Sequence, residues 1–385
     1  MNEYITLKTE NLSLLKGRFS SYKQLFPSLC GAEVFCADIV AREKPLFKTA
    51  EELERLAGFL QQNGVKRLHA SYWASPSSFL CGVAAEDLYS HFGSESAVKE
   101  YYSDTDGTHL YSRWCQEYAL AKATGAQAYV FHLIDYFPID GVWRFSIARS
   151  QVVECMAQIV QTFLNKLEEN SLLCENSPVI ELENAGWALE YGVQTAQDFE
   201  YIFKKVYDKH DKLRISWDIN HLLHAIGERD GKGVFMLPKE EITAEMQSLS
   251  EKYGSNLQQF AHSWIEYNLL HLSVKNKVCC VHLSDCAAKQ QQYFTAGYME
   301  YPLREQLECC EDWAAKESFG ENVVLTHYDS HLPLGKGVLN GGKMKELLCE
   351  LEKENEDICI LHELKNSTDL ENDLKYQRTQ LSGKE

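Results

Sequence analysis

Short apolar runs rich in β-branched and aromatic residues recur along the chain, each followed by a longer stretch whose apolar residues return every three or four positions. The runs fall at 4–9, 32–36, 67–72, 128–134, 179–184, 214–219, 278–285 and 358–365. Between them, 50–63, 150–168, 196–209 and 342–352 are amphipathic with helical spacing, which suits helices that cross from one strand to the next. Regular strand–helix alternation implies a parallel sheet. Eight such units with no Pro/Gly linker to divide them predict an α/β fold, a single (β/α)8 TIM barrel over residues 1–365, rather than an open doubly wound sheet. Residues 366–385 read as a polar C-terminal tail.

The connections are uneven. Residues 74–124, 225–276 and 287–321 are too long for plain strand-to-helix loops, so each is expected to carry helical insertions. All three leave strand ends, which in a barrel lie at the C-terminal face where substrates bind. The insertions should therefore roof the site. Their aromatic residues, Trp114, Trp264 and Tyr267 among them, either line a pocket or pack the insertions onto the barrel.

Composition narrows the class. With 45% hydrophobic and 24% charged residues, the chain is an ordinary globular one and neither disordered, coiled-coil nor collagenous. Lys and Arg total 38 against 56 Asp and Glu, a net charge of −18, so the mean surface field repels phosphate backbones and anionic membranes. Nucleic acid is thus a disfavoured partner, although a local basic channel or bound cations can override the mean. No apolar run reaches eighteen residues and positions 1–19 lack an export pattern, so a cytoplasmic location with no membrane association is expected. The 13 cysteines form no CxxC pair and read as reduced small hydrophobes. Homo-oligomerisation is left open.

Candidate chemistry sits where the strands end. In order these ends carry His69, His132, Glu183, Asp218 with His221, His282 with Asp285, and Glu363, while Asp329 and His331 lie in the loop after the seventh strand. In a barrel such positions all face the mouth, so residues far apart in sequence can converge on one point. Mixed imidazole and carboxylate ligands suit Zn, Mn, Co or Fe better than Mg or Ca. Single histidines after apolar runs are usually packing or surface groups; a succession of His or acid at six strand ends is not ordinary packing. No P-loop, dinucleotide fingerprint, nucleophile elbow or HExxH is present.

The motifs HASYW (69–73), VFH (130–132), LENAG (182–186), WDINH (217–221), VHLSD (281–285), DSHLPLGKG (329–337) and LHELK (361–365) resemble, in order and placement, those of the xylose isomerase-like TIM-barrel superfamily. That superfamily holds sugar isomerases and epimerases together with family-2 apurinic endonucleases. From the sugar branch, the resemblance implies that Glu183, Asp218, His282 and Glu363 hold one divalent ion. It also implies that Glu183 and Glu363 are the catalytic acid/base pair. From the endonuclease branch, it implies a three-metal cluster on His69, His132, Glu183, Asp218, His221, His282, Asp329, His331 and Glu363. Tyr72 and Trp73 match groups that touch substrate, as do His221 and Asp285.

The surroundings depart from the endonuclease pattern. Leu133-Ile134-Asp135 stands where a Pro-Gly turn is expected, AGWALEYG replaces an AGxG run, and the stretch from His282 to Asp329 is longer. The first expectation is therefore a divalent-metal isomerase or epimerase acting on a small carbohydrate, with one ion and up to three. The alternative is phosphodiester hydrolysis at a trinuclear centre. Multinuclear iron oxidases, which carry Asn where this chain has His221, and a non-catalytic binding barrel rank lower.

Overall fold

The computed structural model describes the chain except residues 10–11, 73–92, 98–106, 135–136, 140–141, 145–148, 186–191, 225–247, 249–251, 253–256, 272, 287, 291–322, 326–330, 365–366 and 383–385. Eight strands close into a parallel barrel: β1 (Asn2–Thr6), β2 (Leu29–Phe35), β3 (Val65–His69), β4 (Ala128–His132), β5 (Val179–Glu183), β6 (Leu213–Asp218), β7 (Val278–Leu283) and β8 (Cys359–His362). Each strand pairs with its sequence neighbours, and β8 returns to β1 through pairs such as Tyr4 with Leu361. This is the predicted closed (β/α)8 barrel.

Helices run between the strands: α1 (Arg18–Leu25), α2 (Cys36–Ile39), α3 (Ala50–Gln62), α4 (Thr108–Thr124), α5 (Arg149–Glu169), α6 (Ala196–Lys205), α7 (Ile219–His224), α8 (Leu257–Leu269), α9 (Gly341–Glu354) and α10 (Leu370–Ser382). Their starts follow local chemistry. Thr49 accepts the Glu52 N–H ahead of α3, and Thr195 with Asp198 forms a reciprocal capping box ahead of α6, satisfying donors that a helix start leaves open. The apolar faces then bury Ala57 and Leu60 of α3 and Phe199 and Ile202 of α6 against the barrel.

Two expectations are corrected. Residues 370–382 are not a tail but α10, which packs on α9 and buries Leu374 and Gln377. Gln377 donates to the Leu283 carbonyl and accepts the Leu334 N–H, so α10 is fastened through polar bonds that an apolar pattern does not reveal. Cys155 on α5 is disulfide-bonded, whereas Cys30, Cys36, Cys115, Cys174, Cys279, Cys280, Cys286, Cys349 and Cys359 are free thiols as expected.

Of the predicted insertions, the second ends in α8 and the first in α4, and most of their remaining residues lie outside those described. Residues 288–290, at the start of the third, pair with 323–325, just beyond it, as an antiparallel ribbon. Trp114 and Trp264 are fully buried, so packing accounts for both. Among the described residues no helix is long and apolar enough to cross a membrane.

Candidate metal centre

Side chains alternate across a strand, so the inward-facing residue at each C-terminal strand end has a companion two positions earlier, one layer deeper in the barrel. The deeper layer is ionic. Arg67, two residues before His69, is buried and donates to Glu33 Oε2 at 3.1 Å and to Glu181 Oε1 at 2.8 Å, with a second short bond to Glu181. Burial pushes the Glu33 carboxyl up against the opposing pull of His282 and Arg67. This floor escaped the sequence reading, yet its signal was there: Arg67, Glu181 and Cys280 precede His69, Glu183 and His282 by the strand period. Glu181, Cys280 and His282 come within 4.8 Å of one another, but the guanidinium on Glu181 already supplies the cation.

Above that floor, His69, His132, Glu183, Asp218, His221, His282, His331 and Glu363 come together. Their potential ligand atoms form three groups, each within 4.8 Å: His69, His132 and Glu183; Glu183, Asp218, His282 and Glu363; Asp218, His221 and His331. Asp329 lies outside the described residues. Glu183 joins the first group to the second, and Asp218 joins the second to the third.

The two oxygens of Glu183 divide between its neighbours. Oε2 lies 3.4 Å from His69 Nε2 and 3.0 Å from His132 Nε2, while Oε1 lies 3.3 Å from His221 Nδ1 and 3.5 Å from His282 Nδ1. Glu363 Oε2 closes on His282 Nδ1 at 2.9 Å. In three of the histidines a backbone carbonyl faces Nδ1 at 3.0 Å: Ala70 for His69, Asn184 for His221 and Glu363 for His331. A carbonyl oxygen can only accept, so Nδ1 carries the proton and Nε2 keeps its lone pair. This is the tautomer a metal ligand needs, fixed by an outer partner.

Burial removes the alternative of hydration. Both oxygens of Glu183 and Oδ2 of Asp218 are buried and make no hydrogen bond among the described residues, a cost on the order of several kcal/mol for an ionised group. Burial alone would raise the Glu183 carboxyl, but the His132 and His282 imidazoles outweigh it and hold it well below the usual carboxylate range. Burial, opposed by His221 and His331, pushes Asp218 up to about 6. It also lowers His132 to about 4 despite Glu183 beside it. Buried carboxylate oxygens that make no hydrogen bond, together with three imidazoles whose Nδ1 is tied to a backbone carbonyl and whose Nε2 stays free, form a donor set that fits divalent cations.

Two predicted substrate contacts are corrected. Tyr72 is 1% exposed, within the hydrophobic core, and its hydroxyl donates to the Arg42 carbonyl at 3.2 Å. Asp285 is buried, and its carboxylate accepts four backbone N–H groups. Trp73 lies outside the described residues. His362 faces outward to Gln377, as the strand period requires.

Comparison with solved structures places the fold. Over 100% of this chain and 99% of the other, it matches a D-tagatose 3-epimerase-like protein at 16% identity and a TM-score of 0.51. Endonuclease IV from Thermus thermophilus matches at 13% identity and a TM-score of 0.52, with both chains fully covered. The 3-keto-D-glucoside 4-epimerase from E. coli matches at 11% and 0.50, covering 98% of this chain and 99% of that one. No family model and no curated protein matches the sequence. The chain shares the closed (β/α)8 barrel fold of these structures.

Proposed function

We propose that this chain is a divalent-metal enzyme with a multinuclear centre that hydrolyses a phosphate ester. One observation carries the reading: the oxygens of Glu183 are split between two sets of imidazoles, and Asp218 repeats the sharing with the third group. A centre for one ion needs only Glu183, Asp218, His282 and Glu363, and leaves His69, His132, His221 and His331 without a task as ligands. Ions bound in adjacent groups would polarise phosphate oxygens and supply an acidified water.

The chain's own residues do the rest. Glu183 and Asp218, each shared between two groups, would offset the repulsion between cations held there. The backbone carbonyls of Ala70, Asn184 and Glu363 keep each Nε2 deprotonated and aimed inward. The net charge of −18 supports a compact substrate over a long polyanion, because an acidic surface slows the approach of extended phosphate backbones.

A second reading, isomerisation or epimerisation of a small carbohydrate, is supported by a different feature. Glu183 and Glu363 approach the same imidazole, His282, at 3.5 and 2.9 Å, so two carboxylates share one ligand group, as a proton-moving pair requires. Metal analysis of purified, metal-loaded protein separates the two. Hydrolysis predicts more than one ion per chain and release of nitrophenol from an activated phosphodiester. A single ion per chain, with interconversion of ketoses and no phosphodiester cleavage, would reject the hydrolytic reading and establish the second.

A further inference from the structure

The third ligand group differs from the others in how it is held. Glu183, Asp218 and His282 end strands, and Glu363 follows β8 in register through its N–H to the Leu283 carbonyl. His331 has no strand beneath it. It lies in a loop, with φ of 45°, a left-handed backbone that is costly for a non-glycine residue and persists only where the surroundings impose it.

The same loop is bonded to Asp285, two residues beyond β7. Its Oδ1 accepts the N–H groups of Cys286 at 2.8 Å and Leu339 at 3.0 Å, and its Oδ2 those of Gly335 at 2.8 Å and Gly337 at 2.9 Å. Its backbone makes a reciprocal pair with Leu332, next to His331, at 2.7 and 3.0 Å. Its carbonyl also accepts from Asn220 Nδ2, next to His221, at 2.8 Å. One buried aspartate is therefore bonded to the chain neighbours of both imidazoles in the third group. The loop closes so tightly on it that a Cβ on Gly337 would meet the Cys286 carbonyl at 2.3 Å and Asp285 Oδ1 at 2.7 Å.

We propose that Asp285 is the positioning residue of the third ligand group: it winds residues 331–339 around its carboxylate and so sets His331 against Asp218 and His221. This rests on the multinuclear reading above. The four hydrogen bonds described for the Asp285 carboxylate all go to backbone N–H groups. Its effect runs through the loop, and the strand-borne group of Glu183, Asp218, His282 and Glu363 does not depend on it.

Asp285→Asn tests the idea, since an amide offers one acceptor oxygen where two carried four bonds, and its NH2 opposes the incoming N–H groups. Zinc content per chain, and the visible spectrum of the cobalt-loaded protein, are compared for wild type, Asp285→Asn, His331→Ala and the double variant. The expected result is loss of the same single equivalent in each single variant and no further loss in the double, because both remove one site. A general folding defect would instead lower all equivalents together. Should Asp285→Asn fail to fold, Gly337→Ala breaks the same clamp with the carboxylate kept, and the same selective loss is expected. If His331→Ala loses an equivalent while Asp285→Asn and Gly337→Ala keep theirs, the positioning role is wrong. If His331→Ala loses nothing, the multinuclear reading fails and takes this inference with it.

Discussion

At the scale of single residues, Glu183 and Arg67 show how one strand period stacks two kinds of electrostatics. Glu183 has four imidazole nitrogens within 3.5 Å, yet its oxygens make no hydrogen bond among the described residues. Glu183→Gln keeps the shape but removes the negative charge and half the acceptor capacity. Metal affinity and turnover should each fall by at least roughly 100-fold, the upper end of what is lost when only an outer partner of a ligand is removed. Full activity in that variant would show that the centre lies elsewhere. Arg67 does the opposite task one layer down, holding Glu181 and Glu33 away from water. Arg67→Met should cost about 3–5 kcal/mol, because removing one partner leaves buried carboxylates uncompensated. A chemical-denaturation midpoint that does not move would mean that the carboxylates are not ionised in the folded chain. The upper layer was legible because His and acid at strand ends stand out against apolar runs. The ionic layer beneath was legible by the same spacing, but Arg67 and Glu181 read as ordinary charged residues until β3 and β5 are known to face one interior.

At the scale of elements, the apolar runs located all eight strands but carried several of them too far. The third run, 67–72, takes in Tyr72, whereas β3 ends at His69. Ala70 and Tyr72 are as buried as the strand, and hydrophobicity reports burial rather than pairing. The reverse failure is α10, whose anchoring residue is a glutamine. A related polar junction joins α8 to α9. His262 on α8 is buried and accepts the Asn340 N–H at Nε2, at 2.8 Å, just before α9 begins. Burial, with Lys343 nearby, lowers its imidazole to about 4. The folded chain therefore keeps His262 neutral where the unfolded chain, near 6.5, takes up a proton. Stability from this group is complete above pH 6.5 and is lost as pH falls from there toward 4, by at most about 1.4 kcal/mol per unit. His262→Gln keeps an acceptor for Asn340 without titrating. Unfolding free energies at pH 7.5 and 5 should differ less in the variant than in the wild type. Equal differences would remove His262 from the acid dependence.

At the scale of the whole molecule, the barrel brings to one rim three carboxylates and five imidazoles drawn from β3 to β8 and the loop that follows β7. The fold itself gains nothing from gathering them, since Glu183 and Asp218 are fully buried and their unbonded oxygens oppose folding. Bound cations would offset that cost only in the folded state, because the unfolded chain disperses these residues over some 295 positions. On the proposed reading, metal binding and folding are therefore coupled. Removing metal with a chelator should lower the melting temperature, and re-addition should restore it. The stabilisation should be on the order of 4 kcal/mol when free metal exceeds the dissociation constant 1,000-fold. The dependence on metal concentration then carries information that a single melting curve does not. Ions in separate groups saturate separately, so a multinuclear centre gives a rise in stability that continues after the first ion is bound. His331→Ala should shorten that rise at its upper end and leave its start unchanged. A chain whose melting temperature ignores both chelator and metal would mean that the buried carboxylates are neutralised by protons instead, and the rim would then be a set of packed polar side chains with no catalytic centre.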